Sequence, residues 1–150
     1  MSTLVKGDDL RLITLGRVVT KATGALSSAD ISLFTVAGGI CAVTSLVGEV
    51  TVAVTVANAS KIKLNPTTGA DSDLSGTLDI GTTDTAVGTL IGIDGVPANA
   101  MLRGTSVPLL TRYVAVKEGV IEQESAGTDG EITWTLTYVP LESGASIVAA

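Results

Sequence analysis

The sequence predicts an all-β domain, either an antiparallel β-sandwich of jelly-roll type or a partly open β-barrel, preceded by an extended N-terminal arm. Three observations carry that expectation. Apolar and polar residues alternate with a strand's period, most cleanly over Glu49–Ala57 (EVTVAVTVA) and Glu131–Val139 (EITWTLTYV). Turn-forming residues, including 17 glycines, punctuate these runs at short intervals, as sandwiches and barrels require. The chain is 45% hydrophobic but only 3% aromatic. Its core must therefore be built from Val, Ile, Leu, Ala and Thr methyls, which suit pleated surfaces better than helices. No internal repeat is evident, which sets a solenoid or propeller aside.

The arm covers residues 1–9 and a single domain covers 10–150. MSTLVKGDD lacks the apolar segment of a secretory signal and reads as a flexible or docking arm. Arg11–Lys21 alternates as a first strand, broken near Gly16, and Ala25–Asp30 (ALSSAD) is a connection. Ile31–Gly48 is uncharged and about long enough to span a bilayer. Ser32, Thr35, Gly38, Gly39, Thr44 and Ser45 interrupt it, however, and no Lys, Arg or aromatic belt anchors its ends. It reads better as two strands, Ile31–Val36 and Ile40–Leu46, turning at Gly38-Gly39.

In Glu49–Ala57 the side chains of Val50, Val52, Val54 and Val56 share one face, and Thr51, Ala53, Thr55 and Ala57 share the other. That second face is small and uncharged, so another layer or subunit can cover it. Lys61–Leu64 is a short strand ending at Asn65-Pro66, followed by the loop PTTGADSD. Strands are expected at Thr77–Ile80 and Val87–Ile93, the latter closed by a tight turn at Asp94-Gly95. Pro97–Pro108 is irregular, and Arg112–Lys117 pairs with Val120–Gln123 about Glu118-Gly119. SAGTDG turns into the Glu131–Val139 strand, and LESGASIVAA closes the chain as an apolar tail. Ile132, Trp134, Leu136 and Tyr138 share one parity and should face the core, leaving a ladder of Thr133, Thr135 and Thr137 for neighbours. The alternative is an exposed aromatic platform at Trp134 and Tyr138 for a sugar or a protein partner.

The chemistry available is narrow. Histidine is absent, which removes the commonest general base and the His ligands of zinc and copper sites. There is no phosphate-binding GxxxxGK[ST] and no GxGxxG after a strand. No catalytic or cofactor-binding residue is assigned, and no cofactor is expected. Asp71, Asp73, Ser75, Gly76, Thr77 and Asp79 reproduce the first half of a calcium loop. Thr82 stands where the bidentate glutamate belongs, so a solvated acidic loop is expected and no metal site is assigned; a weak structural Ca²⁺ is the alternative.

Cys41 is the one cysteine, so no internal disulfide exists and a small buried hydrophobe is expected there. Asn58-Ala59-Ser60 matches the N-glycosylation pattern by coincidence. Lys6, Arg11, Arg17, Lys21, Lys61 and Lys63 look thinly spread and solvated. A net charge of −6 with pI near 4.4 repels phosphate backbones, so nucleic acid is not an expected partner. The mean hydropathy of +0.51 is high enough to expect surface shared with a protein partner.

SLVGEVTVAV (Ser45–Val54), ANASKIKLNPTTGADSDL (Ala57–Leu74) and WTLTYVPLESGASIVAA (Trp134–Ala150) resemble the small capsid-decoration, or cement, proteins of tailed bacteriophages. The resemblance spans roughly the last two-thirds of the chain and lies in strand-and-turn phrasing, so it transfers no individual binding residue. It implies an all-β homotrimer, made in the host cytoplasm, that binds the major capsid protein on the outer surface of the head and clamps neighbouring subunits. No membrane, cofactor or active site is implied. Another virion part (a tail-tube or head-completion subunit) and a carbohydrate-binding β-sandwich are the alternatives.

Overall fold

A computed structural model describes residues 6–110 and 112–150. One helix, α1 (Gly7–Leu15), precedes twelve strands: β1 (Arg17–Ala22), β2 (Asp30–Ala37), β3 (Cys41–Val52), β4 (Ala59–Pro66), β5 (Ser72–Asp73), β6 (Leu78–Asp79), β7 (Leu90–Gly92), β8 (Leu102–Gly104), β9 (Val114–Val116), β10 (Gly119–Ser125), β11 (Glu131–Pro140) and β12 (Ser146–Ala149). They form two sheets. The first runs β1-β11-β3-β7-β8 with β9 also on β3, and the second runs β12-β2-β10-β4-β5 with β6 also on β4. Every strand pair within them is antiparallel. The expected antiparallel sandwich is the observed fold.

The core lies between the sheets. Ile132, Trp134, Leu136 and Tyr138 of β11 all point into it, together with Phe34, Ile62 and Ile121 from the second sheet. Trp134 is fully buried, and a buried indole N–H needs an acceptor. Gln123 Oε1 on β10 supplies it at 2.8 Å, and the Gln123 amide then donates to Ser60 Oγ on β4 at 2.9 Å. One hydrogen-bonded line thus joins the layers through an otherwise apolar interior.

Room for the indole comes from Gly48. A Cβ there would lie 2.7 Å from Ile132 Cγ2 and 3.0 Å from the Trp134 ring. The glycine marks a close approach, not a turn. Consequently Ile40–Leu46 and the start of Glu49–Ala57 run together as one 12-residue strand, β3, which ends at Val52; beyond it only Val54 forms an isolated bridge, to Thr85. Its register against β11 slips twice, leaving Thr51 and Thr44 as extra residues. Beyond the Thr51 bulge the expected Val50–Val56 face breaks up. Val50 and Val54 are buried, but Val52 and Val56 are about half exposed.

Other boundaries also move. Arg11–Leu15 is helical, and the first strand begins only at Arg17. The Lys6 backbone N–H donates to Asp9 Oδ2 at 3.2 Å, satisfying an orphan donor at the helix entry. Gly16 ends the helix with φ 95°, its N–H bonded to Leu12 O at 3.1 Å and its Cα against the Tyr138 carbonyl, where no Cβ fits. The helix runs through the arm boundary expected after Asp9; Met1–Val5 of that arm lie outside the described residues. Arg112–Lys117 and Val120–Gln123 do not form a hairpin. β9 joins β3 of the first sheet, whereas β10 lies between β2 and β4 of the second, so Glu118 carries a crossover between layers. The irregular Pro97–Pro108 stretch contains β8, and the apolar tail contributes β12 to the edge of the second sheet.

Candidate functional site

The outward face of the first sheet is the candidate interaction surface. On β1 and β11 its outward positions are Val18, Thr20 and Ala22 beside Thr133, Thr135 and Thr137. Between the bulges of β3 they are Ser45, Val47 and Glu49, and Glu49 carries the only charge among these nine. The Thr44 bulge brings Thr44 and Ser45 together against Thr137. Thr44 Oγ1 donates to Leu15 O at 2.8 Å and lies 2.8 Å from Thr137 Oγ1, which lies 2.6 Å from Ser45 Oγ. Each hydroxyl has one hydrogen, so the direction is fixed: Ser45 donates to Thr137, Thr137 to Thr44, and Thr44 to the last turn of α1.

This relay ties the helix to the rim of a groove. Leu15, Val47, Leu109, Leu110 and Tyr113 line it over the threonine floor, enclosing about 300 Å³. Among the described residues no charged side chain lines it. The helix itself is scarcely docked. Leu10, Leu12, Ile13 and Leu15 are all exposed, Ile13 to 74%.

The outward face of the second sheet is the opposite in kind. Lys63 Nζ lies 2.8 Å from Asp30, 3.4 Å from Asp71, 3.8 Å from Glu122 and 3.9 Å from Glu124. Lys61 Nζ lies 3.0 Å from Asp73 and 3.6 Å from Glu124. Both lysines are held above the ordinary ammonium range, first by hydrogen bonds to Asp73 for Lys61 and to Asp30 for Lys63. Lys63 is only 8% exposed, so the expectation of a solvated side chain is corrected. Glu122 Oε2 is buried with no hydrogen-bond donor and faces the Lys63 ammonium. Period-two pairs, Lys61 with Lys63 and Glu122 with Glu124, were the sequence signal for this face.

The calcium-like residues are dispersed. Asp71 and Asp73 go to the lysines, and Ser75 Oγ accepts from Ile62 N at 3.0 Å. Asp79 accepts from the Thr82 hydroxyl and from the backbone of Gly81, Thr82 and Asn58. These donors, the Thr82 hydroxyl foremost, hold its carboxyl far below the usual range. Two other aspartates brace loops in the same way. Asp129 is lowered first by the Thr55 backbone N–H, and Asp94 first by the Asn99 amide. Among the described residues no group of three or more Cys, Asp or Glu side chains is placed to hold a metal ion. Asn58 is buried, its amide bonded to Ser125 Oγ at 3.0 Å, which denies the glycosylation pattern access. Cys41 is buried as expected, and desolvation raises its thiol pKa.

No protein-family model, curated protein or solved structure matches this chain. No helix among the described residues is long and apolar enough to cross a membrane. Ile31–Gly48 instead forms β2 and most of β3 around the Gly38-Gly39 turn.

Proposed function

We propose that this chain is a virion structural protein, a decoration subunit that binds the major capsid protein on the outside of a tailed-phage head and acts as a homotrimer. The observation that supports this most is the asymmetry of the sandwich. One sheet face is knitted into ion pairs, while the other is a surface of small, mostly Thr and Val side chains, with Glu49 the one charge among its nine central positions, beside a helix with four exposed large apolar side chains. Such a surface suits contact with other proteins. An acidic body carrying it would resist packaged DNA. The sugar-binding alternative loses its support, since Trp134 and Tyr138 are 0% and 3% exposed.

Co-sedimentation with expanded heads lacking the protein tests the proposal. Saturable binding and a higher temperature of head rupture are expected. Absence of binding overturns it, and rings or tubes in negative-stain images would reassign the chain to a tail-tube or head-completion role.

A further inference from the structure

Helix α1 has apolar side chains on two opposite sides. At about 100° per residue, Leu12 and Leu15 fall on one side of the helix and Leu10 and Ile13 on the other. The first pair abuts the chain's own sheet, at the Gly16–Tyr138 contact and the groove rim respectively. Among the described residues nothing buries the second pair, with Leu10 54% and Ile13 74% exposed. A short helix that is apolar on both sides is ordinarily enclosed on both.

The same chain offers a receptor for that second side. The groove over the threonine floor holds about 300 Å³, roughly twice the ~150 Å³ apolar cavity that accepts one benzene. Two aliphatic side chains fit such a space. Its walls Leu109 and Tyr113 are 55% and 67% exposed. In a head-to-tail contact one copy gives the α1 ridge and the other the groove walls, so a single contact covers both of these open apolar patches. Copies carrying a net charge of −6 repel one another, and a groove without charged lining is where two acidic bodies approach at least cost.

We infer that Leu10 and Ile13 of one copy insert into the Val47–Leu109–Tyr113 groove of a second copy. Ridge and groove are different patches, so the contact is heterologous, and its closed form is a ring, which includes the trimer. The inference deepens the decoration reading by naming the surface between copies, and it leaves another surface for the shell.

Light scattering on the full chain at micromolar concentration tests it. The wild type should be oligomeric, Ile13→Asp and Leu109→Asp monomeric with unchanged circular dichroism, and Val148→Asp, on the second sheet, of wild-type mass. Mixing an Ile13→Cys chain with a Leu109→Cys chain under oxidation should link the two variants to each other. A monomeric wild type, charged variants that keep their mass, loss of mass in Val148→Asp alone, or linkage of Ile13→Cys only to itself would each overturn the contact. An oligomer that ignores phage heads sinks the decoration reading and leaves this contact standing; a monomer that binds heads does the reverse.

Discussion

The two outward faces of this sandwich use strand alternation to opposite ends. On the second sheet, Lys61 and Lys63 of β4 stand beside Glu122 and Glu124 of β10, and the register pairs Lys63 with Glu122 and Lys61 with Glu124. Opposite charges across a strand pair stabilise that sheet directly, and a charged face also discourages association of copies. On the first sheet the matching positions are mostly small and uncharged, Glu49 excepted, and the hydroxyls of Thr44, Ser45 and Thr137 bond to one another. Hydroxyls that already bond one another lose little when protein covers them. One face therefore contributes to folding, and the other is free to contribute to assembly.

The largest expected effect removes what both faces rest on. Trp134→Ala should cost about 3–5 kcal/mol, the range for deleting a buried aromatic side chain, and it also leaves Gln123 Oε1 without its donor. Urea titration would show it; a midpoint near wild type would mean the layers are held elsewhere. Lys63→Ala should cost about 2–3 kcal/mol. That is less than the ~3–5 of a fully buried pair, because only Glu122 among its partners is left dry. A neutral result by the same titration would show that the ionic face contributes little and would blunt the contrast.

On the opposite face, Thr44→Val should cost about 1–2 kcal/mol, since its part-buried hydroxyl both donates to Leu15 O and accepts from Thr137. Hydrogen exchange should then quicken at α1 amides and not at β11; uniform quickening would deny the relay its local role. The gentlest probe is pH. Asp79, Asp94 and Asp129 are depressed in the fold, so their stabilisation is complete above the unfolded value of about 3.9 and fades as pH falls through their folded values. Lys61 and Lys63 are raised, so theirs is complete below about 10.4 and fades as pH climbs past it. Calorimetry should give a melting plateau with decline at both ends, and Lys63→Ala should flatten the alkaline end alone. An unchanged alkaline decline in that variant would place its cause outside the ion-paired face.

Much of the fold was legible because alternation is a local property. The β11 strand with its buried Trp134 face follows from it, and the β2–β3 turn falls at the glycine pair Gly38-Gly39. Alternation cannot say which sheet a short strand joins, which is why β9 and β10 look like a hairpin in the sequence and lie in different layers. Bulges are equally silent: nothing about Thr51 announces that Val52 will turn outward. Helix α1 was hidden because Leu10, Leu12, Ile13 and Leu15 divide between two faces in a helix and in a strand alike, so neither period stands out. Asp9 at its entry and Gly16 at its exit were the available start and stop signals. The interaction face was half legible through its threonine ladder, but its groove depends on Leu109 and Tyr113, which arrive from a distant loop. The ionic face needed the β4–β10 register before its charges could be matched.

The lone indole, wedged between the layers and tethered to Gln123, also makes this protein its own gauge. Its emission reports whether the two layers stay closed, and it is indifferent to whether α1 is seated or loose. Melting of the body can therefore be followed optically in a single unlabelled sample, without interference from loosening of α1.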